Sequence, residues 1–215
     1  MLKRMIALYA ACAIGIAASA ALGAQLPPDE IAFTAPPRGI HLLDVRTGSV
    51  LPIHYGGRQT THSPNWTPDA RALVFAAGPT YAARDMLPSG IYRSDAHGQN
   101  PYIVATMMVV STMDLSSDGR YLAFADLSRV YIIDAETGAR THTILISAPG
   151  DTMGRVDWSP QGDRLAYASG RQGERKLFIF DLASGTGEEL LRRIPLAAGE
   201  SIYPTAFDWS PNGEQ

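Results

Sequence analysis

An all-β fold built from repeated four-stranded sheets is what this sequence predicts, and three observations predict it. The first is a recurring motif. It reads Ser63-Pro64-Asn65-Trp66-Thr67-Pro68-Asp69-Ala70-Arg71-Ala72-Leu73-Val74-Phe75, and returns as Met113-Asp114-Leu115-Ser116-Ser117-Asp118-Gly119-Arg120-Tyr121-Leu122-Ala123-Phe124. It returns again as Val156-Asp157-Trp158-Ser159-Pro160-Gln161-Gly162-Asp163-Arg164-Leu165-Ala166-Tyr167, and starts once more at Phe207-Asp208-Trp209-Ser210-Pro211-Asn212-Gly213. The second is the spacing: Trp66 to Leu115, Leu115 to Trp158 and Trp158 to Trp209 are 49, 43 and 51 residues apart. The third is that 20 Gly and 15 Pro are spread along the chain, as many strands joined by turns require. Repeats of about 40 to 50 residues made of short strands are propeller blades. The expected fold is a β-propeller of four-stranded antiparallel blades, about four of them plus a partial one.

Each module divides into four strands. The first ends at the Trp or Leu of the motif, and a Ser-Pro-x-Gly turn leads into the second, Leu-Ala-Phe or its variant. The third is a β-rich run ending in Asp: Gly39–Asp44, Gly90–Asp95, Arg129–Asp134 and Lys176–Asp181. A turn closed by Gly48, Gly98, Gly138 or Gly185 leads to the fourth. The Asp can accept backbone N–H groups of its turn, and Gly supplies the positive φ. On this reading the propeller domain spans 29–215, with blades near 29–54, 60–105, 110–146 and 153–193 and a partial blade at 203–215. Blade one lacks a first strand. A truncated ring is expected; the alternative is closure by Tyr203–Trp209 as that missing strand. Phe33, Phe75, Phe124 and Tyr167 fall at one position of the second strand and are expected to pack between blades, as are Trp66, Trp158 and Trp209.

The N-terminus is a separate object. Lys3 and Arg4 precede an apolar run from Met5 to Leu22, followed by the small residues Gly23 and Ala24. That order is expected of a signal peptide over 1–24, cleaved near Gly23 or Ala24, with an uncleaved anchor as the rival. Export would place the protein in a bacterial periplasm or outside the cell. Cleavage also removes Cys12, the only cysteine, so the mature fold would rest on packing rather than disulfides. The formal charge of −3, without any basic run, gives no footprint for nucleic acid.

The up-down strand order has a consequence for function. The turns between strands one and two and between three and four share one face and are alike in every copy. The opposite face carries the connections that vary. The longest, Gly78 to Ser89, holds Tyr81, Arg84 and Asp85. Tyr and Arg are enriched where proteins grip partners, and these three are the candidate binding residues; the alternative is a plain surface loop. His54, Tyr55 and His62 share another connection.

The Trp-Ser-Pro-x-Gly turn, the Arg-x-Leu-Ala-Phe/Tyr strand and the Tyr-x-x-Asp-x-x-Thr-Gly turn resemble the propeller repeats of the TolB family. The same repeats occur in prolyl oligopeptidase propellers. The resemblance covers about residues 29–215, and the α/β domain that precedes the TolB propeller has no counterpart in it. It implies an exported, non-catalytic scaffold that binds a protein or peptide in the cell envelope. One alternative is the N-terminal propeller of an exported prolyl oligopeptidase-like serine peptidase. Another is a propeller that binds a glycan or small ligand.

No catalytic constellation is legible. Gly-x-Ser-x-Gly is absent, as is a phosphate-binding loop, and the five His are scattered without zinc spacing. No metal and no cofactor is expected. Asp44, Asp95, Asp134 and Asp181 recur, but without the alternating acidic ladder of a calcium loop, so turn capping is the expected role.

Overall fold

Fifteen strands and no helix make up the residues described by the computed structural model: 30–35, 39–53, 60–78, 89–126, 128–145, 152–171, 176–190 and 206–213. The N-terminal segment read as a signal peptide lies outside them.

The strands form four antiparallel sheets, each following chain order. The first has three strands, β1 (Glu30–Thr34), β2 (Ile40–Asp44) and β3 (Val50–Ile53). The second contains β4 (Thr60–Trp66), β5 (Ala72–Gly78), β6 (Gly90–Asp95) and β7 (Tyr102–Thr106). The third contains β8 (Thr112–Leu115), β9 (Tyr121–Ala125), β10 (Arg129–Asp134) and β11 (Arg140–Leu145). The fourth contains β12 (Thr152–Trp158), β13 (Arg164–Gly170), β14 (Lys176–Asp181) and β15 (Thr186–Glu189). Among the described residues the first sheet thus has three strands, and the residues before Glu30 lie outside them. Residues 206–213 lie against blade four without joining a sheet.

Three cores lie at the seams between blades, and each is built from one repeated interlock. Leu73, Phe75 and Tyr92 of blade two pack on Ile40, Leu42 and Ile53 of blade one. Leu122, Phe124 and Tyr131 of blade three pack on Val74, Ala76 and Ile91 of blade two. Leu165, Tyr167 and Phe180 of blade four pack on Val130 and Ile132 of blade three. The second strands β5, β9 and β13 are therefore covered on both sides, which is why they read as near-continuous apolar runs rather than alternating ones. The expected aromatic column is present, and each member stacks on its partner across the sheet. Phe33 faces His41, Phe75 faces Tyr92, Phe124 faces Tyr131 and Tyr167 faces Phe178, with ring centroids 5.1–5.8 Å apart. Trp158 is buried, and Trp66 packs on the core between blades one and two.

The tight turns are built alike. Ser116 Oγ donates to Asp118 Oδ1 at 2.6 Å and accepts the Tyr121 N–H at 2.9 Å. Thr67 and Asp69 repeat this in blade two; in blade four Ser159 Oγ donates instead to Asp163, four residues on, and accepts the Arg164 N–H. Each turn needs a residue in the left-handed region. Gly119 and Gly162 fill it at φ +72°, and a Cβ on Gly119 would also strike Pro68 of the neighbouring blade at 2.6 Å. Blade two has Ala70 there instead, at φ +56°. A left-handed L-residue costs about 1–2 kcal/mol, of which the freer unfolded chain of a glycine returns up to about 1. Ala70→Gly is therefore expected to stabilise the protein by about 0.5–1 kcal/mol, read as a raised urea midpoint. An unchanged or lowered midpoint would show that Ala70 is unstrained.

Candidate functional site: the face of the variable connections

The two ends of the blades differ in chemistry. At one end the turns tie to each other. The Ala135 N–H donates to Arg120 O at 2.9 Å and the Leu182 N–H to Asp163 O at 3.0 Å, joining both turns within a blade. Ser117 Oγ donates to Pro160 O at 2.7 Å and Gln161 Nε2 to Asn212 O at 2.7 Å, joining turns of successive blades. The recurring aspartates are occupied here. Asp44 Oδ1 accepts the Thr47 N–H, Asp95 Oδ1 those of His97 and Gln99, Asp134 Oδ1 those of Glu136 and Thr137, and Asp181 Oδ1 that of Ser184. These bonds hold the Asp44, Asp134 and Asp181 carboxyls below their ordinary value. Turn capping is thus their observed role. Among the described residues no group of three His, Cys, Asp or Glu could hold a metal ion.

The opposite end carries the connection from β7 to β8, which sequence reasoning passed over. Its two ends are pinned: the Met107 N–H donates to Ser89 O at 3.0 Å and the Ser111 N–H to Ala125 O at 2.8 Å. Met107 and Val110 pack into the core between blades two and three. The pair between them turns outward, with Met108 85% and Val109 46% exposed. Leu145, at the same end of β11, is 67% exposed. Apolar residues on a pinned connection form a rigid knob, and an exposed Met is an adaptable anchor. The signal in the sequence was the run Met107-Met108-Val109-Val110, which reads as core because two of its four residues are.

Polar groups flank the knob. Asp126 follows Ala125, to which the connection is pinned. Its Oδ1 accepts the N–H groups of Ser128 and Arg129 at 2.6 and 2.7 Å, and its Oδ2 the Tyr131 hydroxyl at 3.1 Å. The Arg129 side chain is thereby held beside Tyr131 at this end, with Nη1 3.4 Å from the hydroxyl. On the other flank, Ser89 closes the connection that holds Tyr81, Arg84 and Asp85. Those three residues lie outside the described residues, as do His54 and Tyr55. His62 is half-buried, its Nδ1 3.1 Å from Ser63 Oγ, and burial holds its imidazole below the usual value.

A second group lines the innermost strands. The Trp158 N–H donates to Asp114 Oδ2 at 2.8 Å, tying blade four to blade three. Asp114 keeps some accessible surface, but protein crowds its carboxyl. Desolvation pushes it up to about 7, against the opposing Trp158 N–H, while the Asp157 charge adds to the rise. Asp157 is raised too, by burial first, against its ion pair with Arg155 at 3.1 Å. Asn65 holds the equivalent place in blade two and Asp208 in the segment after blade four. Asp114 thus bonds across the seam between blades three and four, whereas Asn65 Nδ2 bonds within its own strand, to Ser63 O at 3.1 Å.

Seamed antiparallel sheets, each laid on the back of the one before, define the class: a β-propeller with TolB-like repeats. Solved structures agree with that. The chain is similar to TolB from Acinetobacter baumannii, at 20% identity and a TM-score of 0.56 over 80% of this chain and 42% of that one. It is similar to an oligogalacturonate lyase in complex with manganese, at 17% identity and 0.57 over 82% and 49%. It is also similar to Kuenenia stuttgartiensis hydrazine synthase, at 19% identity and 0.54 over 71% and 43%. The chain thus spans less than half the length of these proteins, and at such identities the likeness concerns the fold. No protein-family model and no curated protein matches the chain.

Proposed function

We propose that this is an exported, non-catalytic propeller scaffold that captures a protein or peptide partner on the face of the variable connections. The observation that carries the reading is the contrast between its two ends. One end ties its turns to each other, whereas the other presents Met108 and Leu145, the two most exposed large apolar side chains among the described residues, beside Arg129. A rigid scaffold with an apolar anchor and a flanking cation suits recognition of a protein surface. Tyr81, Arg84 and Asp85 belong to the neighbouring connection and would extend the same surface. The TolB-like fold supports the scaffold role, and the Lys3-Arg4 and Met5–Leu22 pattern supports placement in the envelope.

A photo-reactive residue placed at Met108 or Tyr81 is expected to form a protein adduct in cells, and the same probe at Ser184, on the other face, to form none. Equal adducts at both ends, or none at Met108 and Tyr81, would sink the reading. Met108→Asp, or the pair Tyr81→Ala and Arg84→Ala, is expected to weaken capture of the crosslinked partner at least tenfold with an unchanged unfolding midpoint. A second reading, the propeller of an enzyme, is favoured by the names of two structural neighbours, a lyase and a synthase. Gene sequence past the codon for Gln215 that encodes a hydrolase nucleophile elbow would favour the peptidase form of it.

A further inference from the structure

The seam between blades two and three gathers a cation and two apolar side chains at solvent. Val130, Ile132 and Ile144 pack toward blade four, so their alternates Arg129, Tyr131 and Leu145 lie on the side of blade three that meets blade two. Arg129 and Leu145 are direct partners across β10 and β11, which sets their Cβ atoms about 5 Å apart. The connection from β7 to β8 crosses the same seam. Met107 and Val110 pack on the core that holds Tyr131, and Met108 turns out above it, 85% exposed.

The charge at this seam is positive. Arg129 is exposed, and its Nη1 reaches only the Tyr131 hydroxyl, at 3.4 Å. Arg140, on β11, lies on the same side with its guanidinium 5.0 Å over the Tyr131 ring. Among the described residues neither Arg129 nor Arg140 is ion-paired. Asp126 attracts Arg129, but its oxygens are taken up by its own turn. Oδ1 accepts the N–H groups of Ser128 and Arg129 and the Ser128 hydroxyl, and Oδ2 accepts the Tyr131 hydroxyl. Two guanidinium groups thus face one occupied carboxylate.

We propose that this seam takes an acidic peptide segment of the partner, with a carboxylate on Arg129 and a neighbouring apolar side chain against Met108 and Leu145; the proposal rests on the capture face argued above. The planar guanidinium can donate two parallel N–H groups to one carboxylate, which adds geometric selection to attraction. The flexible thioether of Met108 adapts to the apolar residue beside it. The pairing of Arg129 with Leu145 fixes the spacing the site reads, so acid and apolar residue must lie close together in the bound segment.

Panning a phage-displayed library of random dodecapeptides on the purified chain tests this. The wild type is expected to enrich peptides that set Asp or Glu within a few residues of Leu, Met or Phe. Arg129→Lys is expected to keep the acidic preference, Arg129→Gln to lose it and Arg129→Glu to reverse it toward Lys and Arg, all with unchanged circular dichroism spectra. The best acidic peptide, made synthetically, is expected to bind Arg129→Gln about tenfold more weakly than the wild type, and the difference to shrink as salt is added. Enriched peptides without an acidic preference overturn the proposal, as does a preference that survives in Arg129→Glu. If Met108→Asp nevertheless abolishes enrichment, the capture face stands and only its acidic partner is lost. If Met108→Asp leaves the enriched set unchanged, or the wild type enriches nothing, the capture face falls as well.

Discussion

Phe124→Ala is expected to destabilise the protein by about 3–5 kcal/mol, the range for truncating a fully buried aromatic residue. Phe124 is 1% exposed. Its ring stacks on Tyr131 at 5.2 Å, pairs across the sheet with Met113, and lies in the core that joins blade three to Val74, Ala76 and Ile91 of blade two. Its loss opens a cavity that two sheets, each held by its own ladder, cannot collapse to fill. Phe33 supplies the control. It stands at the same place in the motif and stacks on His41 in the same way, but it is only half-buried, with no described sheet packed on the outer side of blade one. Phe33→Ala is expected to cost only about 1 kcal/mol. Urea unfolding of the two variants checks this. Equal losses would mean that the seam adds nothing to burial within the blade.

Raising the pH from about 4 to above 7 is expected to destabilise the fold through Asp114. Its carboxyl lies at about 7 when folded, against 3.8 as an isolated group. The folded state therefore holds this proton more tightly than the unfolded state. The stability it contributes is complete below about pH 4, declines as pH rises through the window between the two values, and is gone above about pH 7. The drop is up to about 4 kcal/mol at the exchange rate of one pKa unit for about 1.4 kcal/mol. Asp157, also raised, adds in the same direction. The turn-capping aspartates act with the opposite sign: their lowered values give stability that is present above the ordinary carboxylate range and lost in acid. Asp114→Asn keeps an oxygen for the Trp158 N–H, and Asn65 shows that the repeat accepts this residue. The variant is expected to be about 1–3 kcal/mol more stable than the wild type at pH 8 and equal to it near pH 4. Stability curves that run parallel from pH 4 to 8 would remove Asp114 from this role.

Much of this architecture is written locally. The Ser-x-Asp turn, its glycine and the following Leu-Ala-Phe are local devices, so the repeat could be read without knowing what packs on what. The capping role of Asp44, Asp95, Asp134 and Asp181 was legible for the same reason: acceptor and donors lie within four residues of each other. The knob at Met108 and Val109 was not legible, because an apolar run of four has no periodicity that says which members turn outward. The state of Asp114 was equally hidden. An Asp before a Trp or Leu is only a motif letter until the next blade brings a backbone N–H and a second carboxylate beside it, 44 residues further along the chain.

By itself, then, the sequence determined the strands, the tight turns, the order of sheets and the identity of the face that varies, since all of these follow from short-range rules of φ, hydrogen bonding and alternation. Only the tertiary structure decided which equivalent residues differ in fate. Leu122 and Ile31 occupy the same place in the repeat, yet one is sealed and the other bare. Burial and desolvation are properties of the neighbouring blade, and a residue's own segment cannot say whether that neighbour is there.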